Sequence, residues 1–307
     1  MIDEKRRQIM KTGLGTAALA TVSPRLLLAN EEKTLIKKAI PSSGEEIPVI
    51  GLGTSRTFDV SKQERQYKLL PVLDAFFANG GAMIDSSPMY GASEETVGRL
   101  LEKLNRPKNL FSATKVWIDG KQNGIEQMHN SMNLWGVKQF DLMQIHNLRD
   151  WQVHLKTLRD WKEEGKIRYI GITTSHNRFH EELAAIMKNE ALDFVQFSYN
   201  IGNRTSEQSL LPVAFDRGIA VLINRPYQRG DLFSRVKGKD VPAWAQEIGI
   251  QSWGQFFLKF VVSHPAVTCV IPATSKTRHA IDNMQAGFGE LPDAAMRERM
   301  LRFMESV

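Results

Sequence analysis

From Ile47 onward the chain alternates short apolar runs with amphipathic stretches. The runs at 82–85, 110–116, 142–146, 168–172, 194–197, 219–223 and 267–271 read as strands. Between them lie helical patterns. Leu69, Leu70, Leu73, Phe76 and Phe77 share one face of a 3.6-residue turn, and Trp151, Leu155, Leu158 and Trp161 share another. Strand starts recur about every 25 to 30 residues, the length of a strand–helix unit. Continuous apolar strands alternating with amphipathic helices call for a parallel sheet covered by helices. One more strand near Gly51 brings the sum to eight, which predicts a single α/β domain, a closed (β/α)8 TIM barrel over residues 30–307. The interval 223–267 is long for one unit and predicts an extra loop or helix. The opening Ile47-Pro48-Val49-Ile50-Gly51-Leu52-Gly53 predicts a hairpin capping the barrel bottom, and 296–304 reads as a charged amphipathic tail.

Composition changes this picture little. Hydrophobic residues are 42% and charged residues 24% of 307, a globular balance that excludes disordered and fibrous classes. The single cysteine, Cys269, excludes an internal disulfide framework, and its apolar flanks mark a buried strand thiol rather than a nucleophile. Of the net charge of +6, residues 1–29 contribute +3, from five Lys/Arg against two Asp/Glu. The remainder is mildly basic, which argues against nucleic acid as a partner.

Those first residues have an organisation of their own. Lys5-Arg6-Arg7-Gln8-Ile9-Met10-Lys11 precedes a small-residue, weakly apolar stretch over 12–20, then Pro24-Arg25-Leu26-Leu27-Leu28-Ala29. A basic head, a short apolar middle and a small residue at the end predict an export signal cut near Ala29. The paired arginines resemble the signal of the twin-arginine pathway, which implies the twin-arginine machinery as a partner and a periplasmic location. The middle is too short and too rich in Gly and Ala for a stable membrane span. The alternative is a basic tail on a cytoplasmic enzyme.

In a barrel of this kind reactive side chains sit at the C-terminal ends of strands. Asp85, Lys115 and His146 end three of the predicted strands, and Tyr90 follows on the loop after Asp85. Each alone also reads as a capping acid, its lysine partner or an ordinary core histidine. Converging on one rim, they are costly to bury unless they pair. Together they fit a proton donor for a developing alkoxide. A free phenol has a pKa of about 10, and a neighbouring ammonium pulls it down. An aspartate keeps that ammonium charged, and a histidine holds the carbonyl or shares the proton.

Ile84-Asp85-Ser86-Ser87-Pro88-Met89-Tyr90-Gly91 with Ser93-Glu94, Thr114-Lys115-Val116, and Asp141-Leu142-Met143-Gln144-Ile145-His146 resemble successive signatures of the aldo-keto reductase family. The resemblance runs from about Gly51 to Asn283. It implies Tyr90 as proton donor, Lys115 and Asp85 as its tuning pair, His146 as orienter of a small-molecule carbonyl, and hydride transfer from a nicotinamide ring. On the cofactor side, Gly53 and Thr54 resemble the opening strand that approaches the nicotinamide. Gln196 and Tyr199 resemble the amide and ring that hold and stack it. Thr173 and Thr174 stand where many members have Ser-Asn. Arg225 sits in the loop that embraces the pyrophosphate. Thr274, Ser275, Lys276 and Arg278 fall in the segment that grips the adenosine 2′-phosphate, and Asn283 at the adenine contact. A lysine common in that segment is Ala273 here and a common arginine is His279. Lys276 and Arg278 can supply the charge instead, which favours NADP(H) over NAD(H). Trp117 is a candidate wall of the carbonyl pocket.

The reading is therefore an exported NADP(H)-dependent aldo-keto reductase. One rival is an exported nucleotide-binding or sensing barrel with little catalysis, working through a partner protein. Another, a lyase or isomerase using Lys115 as a Schiff base, leaves the cofactor-like segments unexplained. No metal is expected: His176 and His180 have i, i+4 spacing but no evident third ligand.

Overall fold

The chain enters through an antiparallel hairpin, β1 (Lys37–Ala39) paired with β2 (Glu46–Pro48). Eight parallel strands follow: β3 (Leu52–Gly53), β4 (Met83–Asp85), β5 (Phe111–Val116), β6 (Phe140–His146), β7 (Ile167–Thr173), β8 (Phe194–Ser198), β9 (Ala220–Asn224) and β10 (Cys269–Val270). Each pairs with the next in chain order. Parallel bridges Ile50↔Val270 and Gly53↔Ala273 bring the last strand back to the first. The closure needs a glycine: a Cβ on Gly53 would lie 2.8 Å from the Ile271 carbonyl oxygen. The computed structural model describes residues 34–307, so the export signal read over 1–29 lies outside the described residues.

Helices Leu70–Ala78, Ser93–Lys103, Lys121–Trp135, Trp151–Glu163, His180–Asn189, Leu210–Asp216 and Trp253–Val262 fill the crossovers. Leu73 and Phe76 bury the predicted face of the first, with Leu69 in the turn before it, while Leu70 and Phe77 stay half-buried at its edge. The long crossover before β10 holds the short helix Asp231–Arg235 and a 3₁₀ turn over Ala243–Ile248. The charged tail folds as helix Ala294–Glu305, seated by Met300 and Met304.

Strand parity divides the core. Met83, Phe111, Ala113, Leu142, Tyr169, Phe194, Ala220, Leu222, Cys269 and Ile271 cluster together inside the barrel. The intervening residues, such as Ile84, Val116, Met143, Ile145, Val195 and Val221, belong to the cluster formed with the helices. A period of two produces this division, because successive side chains point to opposite faces. The hairpin starts upstream of the predicted segment, and Ile40 and Ile47 join the inner cluster. Lys38 anchors it, its ammonium donating to the carbonyls of Val262 (2.7 Å), His264 (3.1 Å) and Val267 (2.6 Å). Burial, then the nearby Arg297, lowers the Lys38 pKa to about 8. The Cys269 thiol is enclosed in the inner cluster, and burial pushes its pKa up.

Candidate active site

Two further steps along each strand carry the inner face from apolar to polar. Met83 leads to Asp85, Ala113 to Lys115, Leu142 to Gln144 and His146, Phe194 to Gln196 and Ser198, and Leu222 to Asn224. The Lys115 ammonium, fully enclosed, donates to Asp85 Oδ2 at 2.5 Å and to the Ser86 carbonyl at 2.7 Å. Gln144 Nε2 and Gln196 Nε2 both donate to Asp85 Oδ1, at 2.8 and 3.1 Å. Gln196 Nε2 also donates to Gln144 Oε1, while Gln196 Oε1 accepts from Asn224 Nδ2 (3.2 Å) and Thr173 Oγ1 (3.3 Å). Thus both Asp85 oxygens are satisfied, as a buried carboxylate requires. Burial works against the Lys115 ammonium, yet Asp85, then Tyr90, holds its pKa above the ordinary lysine value.

Tyr90 rides on the 3₁₀ turn Pro88–Tyr90, whose N-cap Ser87 accepts the Met89 amide N–H. Lys115 Nζ lies 5.2 Å from the centre of the Tyr90 ring. The tyrosine meets His146 edge-on, with ring centres 5.6 Å apart. Burial raises the Tyr90 pKa, and Lys115 only partly offsets it. The sequence-based expectation of a lowered phenol therefore gives way: desolvation outweighs the ammonium. His146 Nδ1 stands 2.8 Å from Ser87 Oγ. Burial, followed by the Lys115 and His176 charges, holds that imidazole well below its usual pKa, hence neutral. Trp117 flanks the histidine at 6.5 Å between ring centres, with the Arg149 guanidinium over its face. Asn147 Oδ1 is a buried acceptor with no partner among the described residues, and its amide nitrogen faces Met89 Sδ. Beneath the turn, the buried Glu94 accepts from Thr114, Ser131 and Trp135, tying the start of helix Ser93–Lys103 to β5 and helix Lys121–Trp135.

An aspartate, a lysine, a tyrosine and a histidine thus meet at one mouth of a parallel barrel. The profile of the Aldo/keto reductase family matches residues 49–299. The chain belongs to this family. It is 28% identical over 216 residues to aldo-keto reductase YhdN of Bacillus subtilis, covering 64% of each chain, just under two thirds of that protein's length. It is 27% identical over 215 residues to the NADH-specific methylglyoxal reductase of Escherichia coli, covering 60% of this chain and 63% of that one. Its fold superposes with a TM-score of 0.74 on an aldo/keto reductase from Klebsiella pneumoniae solved with NADP and acetate. That match has 22% identity and covers 88% of this chain and 96% of the other.

Of the residues the aldo/keto reductase resemblance assigned to a cofactor, Tyr199 does not reach the mouth. It is one step past Ser198, so its ring falls on the outer face of the sheet. There its hydroxyl donates to Glu207 Oε1 at 2.5 Å and accepts from the Arg297 guanidinium at 2.8 Å, beside Phe260 and His264. Gln196 and Thr173 do face inward, but their hydrogen bonds go to the Asp85 network. The Thr54 hydroxyl donates to the Asp85 carbonyl at 3.0 Å and lies 2.9 Å from Ser86 Oγ, and Gly53 serves the closure. Thr174 Oγ1 accepts the His176 amide. Arg225, with a left-handed φ of 51°, reaches across to the Ser175 carbonyl and hydroxyl, both at 2.8 Å. Ser275 and Lys276 are exposed on the loop after β10, where Thr274 Oγ1 accepts the Lys276 amide, and Arg278 is exposed in the first turn of helix Thr277–Gln285. Asn283 Oδ1 accepts from Tyr227, and among the described residues its amide N–H groups have no acceptor.

Gln144, Asn224, Ser87 and Arg229 were not anticipated. Even-step parity from His146 would have found Gln144. Arg225 and Arg229 line a cavity of about 450 Å³ with His176, Arg178, Asn203 and the single acid Asp231. Among the described residues Arg178, Arg225 and Arg229 form no ion pair, and burial, then the surrounding arginines, depresses both Arg225 and His176. Mutually repelling cations beside the mouth fit the diphosphate of a dinucleotide, so the residues present suit that cofactor best at its phosphate end. Among the described residues no group of three His, Cys, Asp or Glu is arranged to hold a metal.

Proposed function

We propose that the chain reduces aldehyde or ketone carbonyls to alcohols with NADP(H) in preference to NAD(H). The supporting observation is the buried Asp85–Lys115 pair beneath Tyr90 and beside a neutral His146. A reduced nicotinamide, when bound, supplies hydride to the carbonyl carbon. Tyr90 donates its phenolic proton to the oxygen as negative charge develops there. Lys115 stabilises the phenolate left behind, and Asp85 keeps the ammonium charged and aimed. His146 orients the carbonyl, and Trp117 walls the pocket. Arg225 and Arg229 would face the diphosphate, Lys276 and Arg278 the 2′-phosphate, and Asn283 the adenine.

Two measurements test this. Tyr90→Phe should lower kcat by roughly 10²- to 10⁴-fold with KM little changed; full activity would sink the mechanism. Fluorescence titration should show saturable binding, tighter for NADPH than NADH. The inward polar groups already consumed by the Asp85 network, and the outward Tyr199, favour a second reading in which nicotinamide is held weakly and the barrel senses a nucleotide for a partner protein. Saturable nucleotide binding without turnover of any carbonyl would put that reading first, and absence of binding would refute both. We also propose twin-arginine export to the periplasm, on residues 1–29 alone. Changing Arg6 and Arg7 to lysine should leave the precursor in the cytoplasm, and unchanged fractionation would refute it.

A further inference from the structure

Ser87 is fully buried, and its hydroxyl has two neighbours. It accepts the Met89 amide N–H at 3.1 Å and lies 2.8 Å from His146 Nδ1. A serine hydroxyl has one proton to donate, and a neutral imidazole has one donor and one acceptor nitrogen. Among the described residues Nδ1 is the acceptor this proton reaches. If Nδ1 carried the ring proton, it would donate to Oγ and strand the proton of a fully buried hydroxyl. A stranded buried donor is the costlier arrangement. The other ring nitrogen, Nε2, has no partner among the described residues and is not enclosed, so it is open to a ligand.

We propose that Ser87 is a positioning residue that fixes His146 in the Nε2-protonated tautomer, making the imidazole a hydrogen-bond donor to the substrate oxygen. The same hydroxyl caps the turn that carries Tyr90, so one atom sets the placement of the phenol and of the imidazole proton together. The neutrality of the ring supports the assignment, since burial and the Lys115 charge both oppose a second proton. A carbonyl oxygen entering the mouth then meets two donors with separate tasks. Tyr90 gives up its proton; His146 keeps its own and holds the oxygen in place. The donor role rests on the reductase reading, whereas the tautomer does not.

The test is a two-bond ¹H–¹⁵N NMR correlation on the purified protein without ligand, with His146 assigned by the loss of its signals in His146→Gln. The expected pattern is a single tautomer with the proton on Nε2. Ser87→Ala should give a mixture of tautomers and lower kcat about tenfold at unchanged NADPH affinity. Ser87→Thr, which keeps a hydroxyl, should restore both. A wild-type ring protonated on Nδ1 overturns the assignment without any variant. An unmixed Nε2–H pattern in Ser87→Ala does so as well. Mixed tautomers with unchanged kcat would refute the positioning role. An Nε2–H ring in a protein that turns over no carbonyl would refute the reductase reading and leave the tautomer assignment standing.

Discussion

Replacing Lys115 by methionine tests whether the centre of the site is an interacting charge pair. The ammonium and Asp85 Oδ2 are 2.5 Å apart, with side chains 0% and 3% exposed. At an effective dielectric of about 20 their attraction is about 7 kcal/mol, and desolvation of both groups cancels much of it. Lys115→Met leaves the carboxylate buried, held only by the amides of Gln144 and Gln196. Stranding one member of such a pair costs about 3–5 kcal/mol. At roughly 2–4 °C per kcal/mol for a domain near this size, Tm should fall by roughly 6–20 °C. Adding Asp85→Asn removes the stranded charge and keeps an oxygen for the two glutamine donors. The double variant should therefore be more stable than Lys115→Met. Urea unfolding followed by tryptophan fluorescence gives the two single variants, the double and their coupling energy. If the double variant falls at the sum of the singles, the two groups are not an energetic unit and the reasoning fails. Because the readout is stability, the result stands whether or not a substrate is known.

The proposed reduction requires a protonated Tyr90 phenol, and burial raises the Tyr90 pKa. The kcat/KM for a carbonyl should stay level through neutrality and decline only above about pH 10; a loss centred near pH 8 would contradict the burial argument. Lys276→Ala combined with Arg278→Ala should weaken NADPH binding about 10- to 100-fold, on the scale of charge-assisted hydrogen bonds, and leave NADH unchanged. Equal losses for both cofactors would remove those residues from the 2′-phosphate. His264 is held at a pKa of about 4 by burial, then Arg297. Its folded pKa lies below the unfolded value of about 6.5, so the unfolded chain takes up the proton first and stability declines as pH falls from 6.5 toward 4. The urea midpoint of His264→Gln should fall less steeply across that window; an unchanged slope would assign the titration elsewhere.

Much of this was legible locally. Alternation along each strand separates the inner cluster from the helix-facing one, and two residues beyond Met83, Ala113 and Gln144 stand Asp85, Lys115 and His146. The same rule exposes the Tyr199 assignment, which followed order along the chain where the question was which face the residue occupies. Tyr199 is an odd step from Gln196, and no aromatic character moves it across the sheet. Gln144 escaped for the opposite reason: a glutamine inside an apolar run looks like an interruption until its partner, 59 positions away, is known. Ser87 passed as a spacer between Asp85 and Tyr90 because its partner lies on β6, likewise 59 positions off. The Tyr90 phenol shows the remaining limit. Its charged neighbours could be named from the motif, but the sign of its shift depends on how much water the assembled mouth excludes. Face and order are written along the chain. Partners and desolvation exist only once distant strands have met, and at this site those two decide the chemistry.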